Sequence, residues 1–420
     1  MTTLEDALNG SINDDMKQIS DTEKINVNKI LKSISNGHGV ILKGKNSSPI
    51  AIGSIFRTKI NVNIGTSASS INMDEEIEKS KVAKQYGADT LSDLSMGGDI
   101  DKIRKSIVNK INIPLTTVPI YQIIVEANSF DNVSEDLIFN IIEKQIDDGV
   151  SSIVIHAGFT LECLDKMKGK RIMGMVSKGG SLTASVINAN NKENPFLKNF
   201  DYILELMKEK DIVLNLGNAM RSGCIHDQID EFQLSEIILN SKLAKQANKK
   251  GIQVILESLG GHINAKDLID WIKLHKTISN NRPLFVSGPL PTDIAVGYDH
   301  IAAAIGGAFA SGFGADYLCM ITPAEHLCLP SIEDIKKGLV ACRIAAHIGD
   351  SMKFGLNHLF DNDLELSKNR FLKNWKKQFE YCIDPDEPIK KHPINQSECS
   401  MCGKYCALSI SSRILDKNQH

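Results

Sequence analysis

Asn61-Val-Asn63-Ile-Gly65-Thr-Ser67 alternates apolar and polar side chains, then ends in glycine and hydroxyl residues just ahead of a helical stretch. The same build recurs along the chain. Ala88-Asp-Thr-Leu-Ser-Asp-Leu-Ser95, Thr117-Val-Pro-Ile-Tyr121, Ile153-Val-Ile-His156-Ala-Gly158 and Ile172-Met-Gly-Met-Val-Ser177-Lys-Gly-Gly180 follow it. Ile212-Val-Leu-Asn215-Leu-Gly-Asn218, Val254-Ile-Leu-Glu257, Leu284-Phe-Val-Ser-Gly288 and Tyr317-Leu-Cys-Met-Ile-Thr322 complete the set of nine runs. Short apolar runs alternating with helical stretches mark a parallel α/β fold. Eight such runs close a (β/α)8 barrel, so one of the nine is expected to be an extra strand or an interrupted stave. Polar residues gather at the C-terminal ends of the runs, where such barrels place active sites.

Between the runs, Ser134 caps a helix that repeats apolar residues at helical spacing, and Leu234 to Lys250 reads as another that stops at Gly251. The resulting division is an N-terminal cap at 1–58, a (β/α)8 barrel at 59–330, a helical bundle at 331–385 and a tail at 386–420. The bundle is expected to hold a helix from Ile332 to Lys353 and a basic one from Asp363 to Tyr381, with Asp384-Pro-Asp-Glu-Pro388 breaking helix before a movable arm.

Composition bounds the rest. The 420 residues are 42% hydrophobic and 24% charged, with a net charge of −3, ordinary values for a globular chain and no argument for a nucleic-acid partner. The N-terminus is acidic where a secretory leader is basic, and no apolar run matches a membrane span, which reads as cytoplasmic. In a reducing compartment, thiols clustered at ligand spacing point to metal, and isolated ones such as Cys163, Cys319 and Cys342 to small buried side chains.

The tail carries such a cluster: Cys399-Ser-Met-Cys402-Gly-Lys-Tyr-Cys406. Three thiolates hold a [4Fe–4S] cluster with one iron left open, whereas a structural zinc site wants a fourth ligand, here His392 or His420. Both readings stand on spacing alone, with thiols paired as disulfides a third. His262 and His326 each follow an apolar run and are candidate metal ligands at one barrel rim. Glu257, at a strand end, is a candidate acid or base, or an acceptor for an amino group. Ser177-Lys-Gly-Gly-Ser181 offers amides, a hydroxyl and a cation to a phosphate, and Arg221 a bidentate partner. Asp293 and Asp299 bracket the start of an alanine-rich helix, where capping accounts for Asp299.

Taken in order, these stretches resemble a family. The quoted runs, Gly87-Ala-Asp-Thr, Asp93-Leu-Ser-Met-Gly-Gly-Asp-Ile100, Gly288-Pro-Leu-Pro-Thr-Asp293-Ile-Ala-Val-Gly-Tyr298-Asp299-His300, Thr322-Pro-Ala-Glu-His326-Leu and the cysteine tail are similar to the phosphomethylpyrimidine synthases of thiamin biosynthesis. The resemblance covers residue 59 to the tail. It implies a non-canonical radical S-adenosylmethionine enzyme, a carbon–carbon lyase acting on aminoimidazole ribotide. Cys399, Cys402 and Cys406 would then hold a [4Fe–4S] cluster that binds S-adenosylmethionine, and His262 and His326 would hold zinc or iron. Asn63, Tyr121, His156, Ser177, Gly179, Asn218, Arg221, Glu257 and Phe285 would surround the ribotide. The partners implied are a second copy, whose barrel the cluster arm reaches, and a reductant protein, with a paralogue heteromer as the variant and no nucleic acid or membrane.

The sequence also departs from the family pattern. Asn218 stands where the thiamin enzymes usually carry Asp, Phe285 where they carry Tyr and Lys178 where they carry Arg; Glu257-Ser-Leu-Gly-Gly-His262 replaces Glu-Gly-Pro-Gly-His, and the cysteine spacing before Cys406 is one residue shorter. A lost charge and a lost hydroxyl beside the substrate change which intermediate is stabilised. The expectation drawn from them is the paralogous 5-hydroxybenzimidazole synthase of cobamide biosynthesis, with the thiamin pyrimidine synthase as the alternative.

Overall fold

The computed structural model describes residues 1–227, 229–258, 261–392 and 399–415. An antiparallel hairpin, β1 (Gly39–Leu42) with β2 (Ile50–Gly53), precedes a closed barrel. Eight parallel strands build that barrel: β3 (Lys59–Ile64), β4 (Thr90–Asp93), β5 (Leu115–Thr117), β6 (Ser152–Ile155), β7 (Val213–Leu216), β8 (Val254–Glu257), β9 (Leu284–Ser287) and β10 (Tyr317–Cys319). Closure runs through β10, whose Tyr317 registers with Lys59 of β3 on one side and Phe285 of β9 on the other.

The period of two within each strand sorts its side chains. Val62, Leu91, Ile153, Leu214, Leu256 and Val286 join the core shared with the helix ring. Their neighbours Val213, Ile255, Phe285, Tyr317 and Cys319 form a separate cluster with Val40, Leu42 and Ile52 of the hairpin. The hairpin therefore plugs the end of the barrel where the strands begin. Gln253, one residue before β8, fastens it by accepting from the Ile41 amide at 2.8 Å and donating to the Ile41 carbonyl at 3.2 Å. The opposite mouth, at the strand C-termini, is left for a site. Three helices of the first 35 residues build their own small core over the hairpin from Leu4, Met16, Ile19, Ile30, Ile34 and Phe56.

Of the nine runs, Ile172–Gly180 is the one that is not a strand. β6 pairs directly with β7, from Ser152↔Val213 to Ile155↔Leu216, so no sheet edge remains for it. Gly174 turns the chain at φ +62° and Ser177 caps helix Lys178–Asn190 by accepting from the Gly180 amide. Tyr121 also lies on a helix, because Pro119 opens Pro119–Ala127 directly after β5.

Compact packing divides the chain at Met1–Lys353 and Phe354–His420, which differs from the four-part division expected. The cap belongs with the barrel through its hairpin, and helix Ile332–Phe354 buries Ile335, Leu339 and Ala345 in the barrel core. In the second unit the expected helix over 363–381 is two, Asp361–Phe371 and Trp375–Glu380; Lys373 sits at φ +54° and Asn374 caps the second. The Asp384–Pro388 stretch does not end helical structure either, since Asp386–Lys391 is a short helix with Pro388 in its first turn, where a missing amide is tolerated. No helix among the described residues is long and apolar enough to cross a membrane.

Candidate active site

The ends of several strands bring predicted residues to the mouth of the barrel. Glu257, the last residue of β8, accepts from Asn215 Nδ2 at 2.9 Å and from the Asn218 amide at 3.3 Å. Burial pushes its carboxyl up to about 7, against the pull of the Arg221 charge. A carboxyl half-ionised at neutral pH is suited to proton exchange or to pairing with an amino group. The Arg221 guanidinium has no ion-pair or hydrogen-bond partner among the described residues, yet its charge is felt by Tyr121, His156, Lys178, Glu257 and Glu325.

His156 follows β6 with its imidazole between two glycines. A Cβ on Gly179 would lie 2.2 Å from His156 Cε1, and one on Gly217 would lie 2.8 Å from Cδ2, so neither position accepts a side chain unless the ring moves. Burial holds this histidine down to about 3, helped by Arg221, and it is neutral. Its Nε2 meets Ser177 Oγ at 3.4 Å, while the buried Nδ1 has no partner among the described residues. Lys178 Nζ lies 5.3 Å above the Tyr121 ring, and burial pushes the Tyr121 hydroxyl up to about 12. Lys178, which is exposed, and Arg221 thus bring two cations to the barrel mouth near Glu257 and Glu325, chemistry suited to an anion.

Asn63 belongs to a polar network inside the barrel. Asn61 donates to Asn63 Oδ1 at 2.8 Å and accepts from Thr90 and Ser92 at 2.9 Å each. Phe285 registers with Glu257 across β8 and β9 and stacks its ring on Tyr317 with centroids 4.1 Å apart, in the cluster that meets the hairpin; the Tyr317 hydroxyl in turn donates to Asn61 at 3.3 Å. Asn218 contributes its backbone amide to Glu257, while its side chain donates to Glu236 at 2.6 Å. Asn218 is thus engaged by Glu236 through its side chain, and Phe285 packs on Tyr317 beside Glu257 in the sheet.

The two rim histidines do meet, with ring centroids 5.3 Å apart. Asp293 Oδ1 lies 2.6 Å from His262 Nδ1, the carboxylate support that metal-binding imidazoles usually have. Asp299 Oδ2 lies 3.7 Å from His326 Nδ1, buried and without a hydrogen-bond partner among the described residues. Asp299 is thus no cap: it is the first residue of helix Asp299–Phe313, whose N-cap Tyr298 makes no side-chain bond. Both Nε2 atoms are left for a metal, and the donor set fits zinc or iron. Among the described residues no three His, Cys, Asp or Glu groups converge, so two histidines would leave positions for other ligands.

In the second unit, Cys399, Cys402 and Cys406 line one cavity of about 520 Å³ with Arg370, Lys373 and Trp375. The Ser409 amide, at the start of helix Ala407–Leu415, holds the Cys406 thiol below the usual range and favours the thiolate that iron binds. Three thiols have the donor chemistry a cluster needs, but among the described residues they share this cavity without converging on one point. For the zinc-knuckle reading, His392 packs its ring against Trp375 at 4.0 Å, and His420 lies outside the described residues. So do Leu259 and Gly260 of the loop between Glu257 and His262.

Sequence reasoning passed over Glu236, Gly217 and Glu325. The legible signal was Glu236, a carboxylate on the buried stripe Phe232, Glu236, Asn240, Leu243 and Ala247 of helix Glu231–Lys249.

A (β/α)8 barrel with a polar, cation-lined mouth and a paired-histidine rim, in a chain that also carries a three-thiol motif, is the equipment of a radical S-adenosylmethionine enzyme. The chain belongs to the Radical SAM ThiC family, whose sequence profile matches residues 2–413. It is 44% identical to the phosphomethylpyrimidine synthase of Pyrococcus abyssi over the whole of both chains. Its identity to that of Methanocaldococcus jannaschii is 43%, covering 97% of this chain and 98% of the other. A bacterial relative of the same name, from Caldanaerobacter subterraneus, is 43% identical over 99% of this chain and 98% of its own.

Proposed function

We propose that this protein is a phosphomethylpyrimidine synthase, a carbon–carbon lyase that rearranges aminoimidazole ribotide in thiamin biosynthesis. The observation that carries the reading is the ring of Glu257, Arg221, His156 and Lys178 at the barrel mouth, in a chain alignable end to end with enzymes of that name. Lys178, Arg221 and the amides at the start of helix Lys178–Asn190 bind the phosphate. Glu257 takes the ribotide's amino group and exchanges a proton with it. Neutral His156, locked between its glycines, offers an unpaired Nδ1 for one further hydrogen bond. His262 and His326, steadied by Asp293 and Asp299, hold zinc or iron. When bound, the cluster and S-adenosylmethionine supply a one-electron route to a 5′-deoxyadenosyl radical. The partners proposed are a reductant protein and a second copy whose cluster-bearing tail serves this barrel.

The second reading, 5-hydroxybenzimidazole synthase, is supported by Lys178 and by the altered loop from Ser258 to Gly261. The full-length relatives favour the pyrimidine product over it. Product analysis by mass spectrometry decides, after anaerobic reconstitution with iron and sulfide and incubation with the ribotide, S-adenosylmethionine and reductant. Hydroxymethylpyrimidine phosphate is expected; 5-hydroxybenzimidazole overturns the proposal in favour of the second reading, and deoxyadenosine with neither product overturns both.

A further inference from the structure

Helix Glu231–Lys249 places a carboxylate where its buried stripe calls for an apolar side chain. Glu236 is 1% exposed and has no cation paired with it among the described residues. Its oxygens instead accept from three consecutive residues: Asn218 Nδ2 at 2.6 Å, the Ala219 amide at 2.7 Å and the Met220 amide at 2.9 Å. A carboxylate this deeply buried is costly unless its hydrogen bonds are complete, and burial pushes Glu236 up to about 7.

The surroundings show what the three bonds do. Asn240, one helical turn on, donates to the Gly217 carbonyl at 3.2 Å. Arg171, held bidentately by Asp230, donates to the Met220 carbonyl at 2.8 Å. The His262 amide donates to the Ser222 carbonyl at 3.2 Å, and the Ser222 hydroxyl donates back to the His262 carbonyl at 2.5 Å. From Gly217 to Ser222 the backbone is thus gripped from outside, while on the inner side the Asn218 amide reaches Glu257 and the Arg221 guanidinium has no partner among the described residues.

We infer that Glu236 is the positioning residue of the ribotide site: it holds the loop after β7 so that the Asn218 amide meets Glu257 and Arg221 is presented to the substrate's phosphate. The inference rests on the ribotide reading above. It also accounts for Asn218, since a second carboxylate at that position faces Glu236 across 2.6 Å and requires a shared proton, whereas the amide donates one outright.

The test is calorimetric binding of aminoimidazole ribotide to the full-length reconstituted protein, comparing wild type, Glu236→Gln, Glu236→Ala and the exchange variant Glu236→Gln with Asn218→Asp. Circular dichroism confirms that each is folded, and amide hydrogen exchange is read at Ala219 and Met220. Glu236→Gln keeps the shape but turns one acceptor into a donor, so ribotide affinity falls by about tenfold or more and the two amides exchange faster. The exchange variant restores the Asn218–Glu236 bond with its polarity reversed and recovers part of that loss, which a merely destabilised core does not do. Wild type and Glu236→Gln binding the ribotide equally, with the amides exchanging faster, overturns the inference and leaves the ribotide reading standing. A wild type that does not bind the ribotide removes that reading and the inference with it.

Discussion

Glu257→Gln separates the charge of the barrel-mouth carboxylate from its shape. The carboxyl is raised from its ordinary 4.5 to about 7 because burial at the end of β8 outweighs the Arg221 charge and the bonds from Asn215 and Asn218. With that value, about a tenth of the molecules carry the anion near pH 6 and about nine-tenths near pH 8. A ligand whose amino group pairs with the anion therefore binds about tenfold more tightly at the higher pH. The ligand's own phosphate titrates in the same range, but it does so for wild type and variant alike and divides out of their ratio. Calorimetric titration of aminoimidazole ribotide at several pH values is expected to give curves that approach each other in acid and separate by about tenfold toward pH 8. Stability moves the other way. A carboxyl whose folded value lies above its unfolded one contributes fully below about 4.5 and loses that contribution as pH rises through about 7, at most about 3 kcal/mol here. Urea denaturation should accordingly show Glu257→Gln gaining on wild type between pH 5 and 8. Parallel binding curves and parallel stability profiles together would refute the claim that Glu257 titrates near neutrality at this site.

Gly179→Ala puts a methyl group 2.2 Å from His156 Cε1, so the ring must leave its slot; thermal denaturation should report a loss of about 1–3 kcal/mol, and ribotide affinity should fall with it. Asp293→Asn keeps the size of the side chain at His262 Nδ1 and removes its charge, which should weaken zinc affinity by about ten- to a hundredfold in a chelator competition. Cys402→Ala should abolish cluster assembly, read as iron content and electron paramagnetic resonance, while ribotide binding to the barrel persists. Phe285→Ala opens a hole beneath Tyr317 and should cost about 3–5 kcal/mol without changing the product.

Read alone, the sequence determined the class of fold, the helix cap at Ser134, the three-thiol motif and the polar residues gathered at strand ends. These depend on local periods of two and 3.6, on capping chemistry and on short spacings, all of which act between near neighbours in the chain. It did not determine which of nine runs is left out of the barrel. That depends on β6, which ends at Ile155, finding β7, which begins at Val213, as its partner; Ile172–Gly180 then has no edge to join. Nor did it show where a given side chain faces. The partners of Asn218 and Phe285 come from far along the chain: helix Glu231–Lys249 supplies Glu236 to one, and Tyr317 of β10 stacks on the other. Asp299 looks like a helix cap until the rim brings His326 to within 3.7 Å of it. Burial and the identity of a distant partner arise only when the barrel closes, and these set the raised carboxyls of Glu236 and Glu257 and the neutral His156.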